Sequence, residues 1–132
     1  MLLAVQPEES LTFVAPYLDH ADDALRELAA LALGESRLPR ALELLQEAWK
    51  TAVVADDRKA QLIRAVAAHR SEAAFDWLVG LATEVNRPLA EELIEVLALY
   101  KHNERLREKL TTVFAERGDR ALESAFAKRW KV

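Results

Sequence analysis

A chain of 132 residues with 52% hydrophobic side chains is long enough to bury a core, and its three glycines, four prolines and abundant Ala, Leu and Glu favour helix almost throughout. Cysteine is absent, which excludes disulfides and thiolate nucleophiles, and no run of alternating β-branched residues announces a sheet. The net charge of −4 hides a gradient: residues 1–55 hold nine acidic and four basic side chains, residues 56–86 five and four, and residues 87–132 eight and ten, a balance that disfavours a nucleic-acid surface.

Met1 to Val5 is apolar but too short to span a membrane, and no basic region precedes it. It reads as a cap or as the cut edge of a longer protein, and a soluble, cytoplasmic chain with no membrane partner is expected. A first helix is expected to start near Pro7, where proline suits the first turn and Glu8 and Glu9 complement the dipole. Leu11, Val14, Tyr17 and Leu18 form its apolar stripe, and Pro16 should bend it. After His20, Asp22 and Asp23 offer a carboxylate cap to a second helix. Its stripe is Leu25, Leu28, Ala29, Ala32 and Leu33, with Gly34 as a stop.

Ser36 is expected to cap a third helix bearing Leu38, Ala41, Leu42, Leu45, Ala48 and Trp49 on one face. Asp56-Asp57 begins a fourth with Ala60, Ile63, Val66 and Ala67, and Ser71-Glu72 a fifth with Ala74, Phe75, Leu78, Leu81 and Ala82. Phe75 is expected to be buried in the middle of that stripe. Asn86-Arg87-Pro88 starts a sixth helix carrying Leu89, Leu93, Val96, Leu97 and Tyr100. Asn103 caps a seventh through Leu106, Leu110, Val113 and Phe114, ended by Gly118, and Asp119 caps the last, with Leu122, Ala125, Phe126 and Trp130 inward. The eight helices pair as four hairpins whose first helices begin 29, 34 and 32 residues apart.

Pro16-Tyr17-Leu18-Asp19, followed by Ala24-Leu25-Arg26 and Ala29-Ala30-Leu31-Ala32-Leu33-Gly34, resembles a HEAT repeat. In that family a proline bends the first helix, an aspartate sits in the turn and a basic residue opens the second helix; Asp19 and Arg26 match the last two roles. The other hairpins lack the proline and keep the apolar pattern. The resemblance implies an all-α, right-handed α-solenoid of about four stacked antiparallel helix pairs in one domain spanning 1–132; a closed bundle of short helices would also satisfy the apolar stripes. Asp19, Asp56, Asn86 and Asp119 fall in equivalent turns, where capping is the simplest role.

Little in the sequence points to catalysis. His20, His69 and His102 lack metal-ligand spacing and suit turns or helix C-termini. Glu91 and Glu95 share a helix face but no histidine or further acid stands at a useful spacing, so a solvated stripe is the better reading. Some HEAT-like DNA glycosylases hold substrate with tryptophans on the concave side, but Trp49 and Trp77 fall on first helices and the charge is acidic. There is no glycine-rich phosphate loop and no nucleophile elbow. No enzyme, cofactor or metal is expected. The expected function is a scaffold whose concave face, lined by Arg26, Glu27, Gln61, Arg64, Glu92, Glu95 and Lys128 with small alanines such as Ala30 and Ala98 between them, holds a peptide or helical protein partner. Arg64 and Glu95 are expected to stand outward on adjacent second helices. Two rival expectations are a piece of a bilin-lyase-like HEAT protein and a purely structural segment of a larger solenoid.

Overall fold

A computed structural model describes residues 11, 13–19, 21–51 and 56–131, without the side chains of Asp19, Thr51, Asp56 and Asp57. The expected opening at Pro7, the apolar Met1–Val5, His20 and the caps at Asp19 and Asp56-Asp57 lie outside what is described. Among the described residues every regular element is helical. A 3-10 turn at Ala15–Asp19 precedes α1 (Asp23–Ser36), α2 (Pro39–Thr51), α3 (Asp56–His69), α4 (Glu72–Ala82), α5 (Arg87–Leu97), a second 3-10 turn (Ala98–Tyr100), α6 (Glu104–Arg117) and α7 (Arg120–Arg129).

The helix starts follow local chemistry closely. Asp22 accepts from the N–H groups of Ala24 and Leu25, Asn86 from Leu89, Asn103 from Leu106, and Asp119 from Ala121 and Leu122. Each satisfies donors that a helix N-terminus leaves without partners. Gly118 closes α6 in the left-handed region at φ 72°, as expected of a glycine there. Gly34 is different: it lies inside α1, which runs on to Ser36 and ends at Arg37, φ 58°. Ser36 therefore belongs to the end of α1, donating to Leu33 O, and α2 starts three residues later at Pro39.

The chain divides into two compact units, Met1–Ala74 and Phe75–Val132. In the first, α1 packs along α3 and both touch α2. A Cβ placed on Gly34 would collide with the carbonyl oxygen of Ala65. The glycine is thus what lets two helix backbones approach closely, with Ala29, Ala30 and Leu33 buried beside it. Leu25 and Leu28 consequently face solvent, at 37% and 65% exposure, where the sequence pattern placed them inward. His69 fastens the same unit. It is buried, its Nε2 lies 2.8 Å from Leu38 O and its Nδ1 2.8 Å from Ser71 Oγ. Because a carbonyl only accepts, Nε2 donates to Leu38 O, while Nδ1 shares a hydrogen bond with the Ser71 hydroxyl. Ser71 Oγ in turn accepts from Ala74 N–H, capping α4, and Arg37 Nε donates to His69 O.

In the second unit α5 packs on α7 and α6 on α7 around buried Leu93, Leu97, Leu110, Phe114, Leu122 and Trp130. The Trp130 indole donates to Ile94 O at 3.0 Å, and its ring lies 5.0 Å from Phe126. Arg107 donates to Lys101 O and Trp130 O, at 2.9 and 2.7 Å. Phe75 is only partly buried and tilts against Tyr100, with centroids 5.0 Å apart, because α4 turns Ala74, Leu78, Leu81 and Ala82 inward instead.

Candidate functional site

The residues expected on the partner face separate into three groups. Arg26 and Gln61 turn inward. The Arg26 side chain is 11% exposed and reaches Asp23 Oδ1 and Ala21 O, while Gln61, 8% exposed, donates to the same Asp23 oxygen at 3.3 Å. Both border a cavity of about 10 Å³ with Leu18, Ala48, Arg58 and Leu62, room for about one water molecule. The reason is the rotation of α1: the side that approaches α3 contains Arg26 and Ala30, so these cannot also look outward. Ala30 and Ala98, expected as small outward residues, are buried as well.

Glu27 and Arg64 form the second group. Both are partly exposed and their side chains pair at 3.6 Å, joining α1 to α3. Glu95, Glu92 and Lys128 form the third, in the second unit. Glu95 on α5 accepts from Arg129 Nε on α7 at 2.8 Å, both side chains being about half exposed. Lys128 is exposed beside it in sequence and Glu92 is half-buried. Arg64 and Glu95 thus each have a partner within their own unit, Glu27 and Arg129 respectively. Arg129 was not among the expected residues, although the signal was present: it follows Glu95 by 34 positions, much as Arg64 follows Glu27 by 37.

Other polar links join successive hairpins at similar separations. Arg87 pairs with Asp119 at 3.0 Å, Lys109 with Asp76, and Arg117 donates to Ala82 O at 2.9 Å. At Asp119, desolvation pushes the carboxyl pKa up, but the hydrogen bond and charge of Arg87 and the N–H groups of Leu122 and Ala121 outweigh it, so the group is held below its ordinary value.

Sequence reasoning missed one further surface. Phe13, Val14 and Tyr17 on one side and Leu25, Leu28 and Ala32 on the other line an open apolar groove of about 420 Å³. The sequence pattern places Val14, Tyr17, Leu25, Leu28 and Ala32 in apolar stripes and assigns Phe13 to none; the groove lies outward because α1 is rotated to put Ala30 and Gly34 against α3. No helix among the described residues is long and apolar enough to cross a membrane. Compared with protein-family models, curated proteins and solved structures, the chain matches none.

Proposed function

We propose that the chain is a non-enzymatic protein-interaction module built of HEAT-like α-solenoid repeats, which holds a peptide or helical partner on the charged faces of its second helices. One observation carries the reading. In each unit an exposed acidic side chain on one second helix pairs with a basic side chain on the next: Glu27 with Arg64, and Glu95 with Arg129. Exposed pairs of this kind add only about 0–1 kcal/mol to stability, so their recurrence is better understood as a patterned surface than as a device for holding the fold. The helix starts support the repeat. Those of α1, α3, α5 and α7 fall at residues 23, 56, 87 and 120, which are 33, 31 and 33 residues apart. Opposite charges presented on such faces select partners and speed their encounter more than they raise raw affinity.

The test is a charge swap that keeps each pair attractive. Protein carrying Glu27→Arg with Arg64→Glu, and a second variant carrying Glu95→Arg with Arg129→Glu, should melt within a few degrees of the wild type. Each should lose by roughly tenfold the proteins that the immobilised wild type retains from the cell of origin, quantified by mass spectrometry. Retention by the wild type should also weaken as salt rises. Identical retained sets from folded wild type and both variants would rule this face out.

A further inference from the structure

The apolar groove in the first unit calls for its own occupant, independent of the charged second-helix faces. Phe13 is 67% exposed and Leu28 65%, with Tyr17 and Leu25 also open to solvent, and together they border one concavity instead of being scattered singly. Leu25, Leu28 and Ala32 recur at helical spacing along α1, so the groove has a ridge of about two turns against which another helix can lie.

Charge narrows the choice of occupant. Glu35 follows Leu28 by seven positions and so lies along the same side of α1, and Asp22 precedes Leu25 by three at the helix start. Both are exposed carboxylates. Arg37, the cation nearest Glu35 in sequence, donates instead to His69 O. The unit as a whole, Met1–Ala74, holds twelve acidic and eight basic side chains and so carries a net −4. A second copy of the chain would bring carboxylates against carboxylates. We infer that the groove docks an amphipathic helix of a partner protein whose apolar face is flanked by lysine or arginine.

The full chain can be titrated into three dye-labelled synthetic peptides of equal length, read by fluorescence anisotropy. One is a helix of leucine and lysine, one has glutamate in place of lysine, and one has serine in place of leucine. The leucine–lysine peptide should bind saturably, and the other two at least about tenfold more weakly. Leu28→Ser should weaken the leucine–lysine peptide by a similar factor with an unchanged circular dichroism spectrum, because Leu28 is exposed. Glu35→Lys should weaken it and flatten its salt dependence. Leu99→Ser serves as the control, since Leu99 is 77% exposed but lies in the other unit, and should change nothing. Equal binding by the serine–lysine peptide, or no effect of Leu28→Ser, would overturn the inference. A dimer seen by light scattering and dissolved by Leu28→Ser would overturn it too, by naming a second copy as the occupant.

Discussion

Asp119 shows how much a single residue can be read from its neighbours in the chain. Its place one position before α7 announces a cap, and it caps Ala121 and Leu122. What the sequence does not announce is Arg87, 32 positions away, which donates to the same carboxylate at 3.1 Å. Capping is local chemistry and therefore legible, as it was for Asp22, Asn86 and Asn103. The Arg87 link needs the fold. The pair makes a prediction with a definite sign. The folded carboxyl has a pKa below its ordinary 3.8, so its stabilising contribution is complete above that value and fades as pH falls through the lower, folded one. Asp119→Asn keeps an oxygen for the cap but has no charge to offer Arg87. Denaturant midpoints should show wild type more stable than Asp119→Asn at neutral pH, with the two curves converging on acidification below about pH 4. A gap that stays constant into strong acid would show that the carboxylate gains nothing from its surroundings.

Element by element, the sequence placed helices well and their rotation less well. α1 reads as a stripe of Leu25, Leu28, Ala29, Ala32 and Leu33 ending at a glycine stop; Ala29 and Leu33 are buried as that stripe requires, but Ala30 and Gly34 are buried with them and Leu25 and Leu28 are exposed. Hydrophobic periodicity finds a stripe by residue type, and α1 offers two overlapping stripes that share Ala29 and Leu33, one adding Leu25 and Leu28 and the other Ala30 and Gly34. Only the partner helix decides between them, and here α3 takes the small-residue side because close approach gains more contact than leucine bulk would. Similarly, α4 exposes part of Phe75 and buries Ala74 and Ala82. The two helical glycines test this account with opposite signs. Gly→Ala inside a helix ordinarily stabilises by about 0.5–1 kcal/mol. Gly80 in α4 has nothing within 4 Å of an added Cβ, so Gly80→Ala should show that gain in urea melts. Gly34→Ala would drive a methyl group into the Ala65 carbonyl, and overpacking against backbone should cost about 1–3 kcal/mol instead. A stabilised Gly34→Ala protein would mean that α1 and α3 do not pack through this contact.

At the scale of the whole molecule, the helical character of the described residues and the spacing of about 32 residues between alternate helix starts followed from composition and turn signals, whereas the division at Ala74 did not, because it falls inside α4 where no turn residue marks it. Each unit has its own buried core, the first around Leu33, Leu45, Ile63 and Val66, the second around Leu93, Leu110, Phe114 and Trp130. Repeat chains distribute stability as local terms and nearest-neighbour terms, so damage is felt most by the elements around it. Ile63 and Ile94 give a matched pair for testing this, since both are buried, at 0% and 2% exposure, and one lies in each unit. Removing one methyl group, as Ile63→Val or Ile94→Val, should cost about 0.5–1.5 kcal/mol, which leaves the chain folded. Native-state hydrogen exchange should then quicken chiefly in α1, α2 and α3 for the first variant and in α5, α6 and α7 for the second. An equal loss of protection in every helix, whichever isoleucine is shortened, would show a single all-or-none core and would remove the energetic basis for reading the chain as repeats.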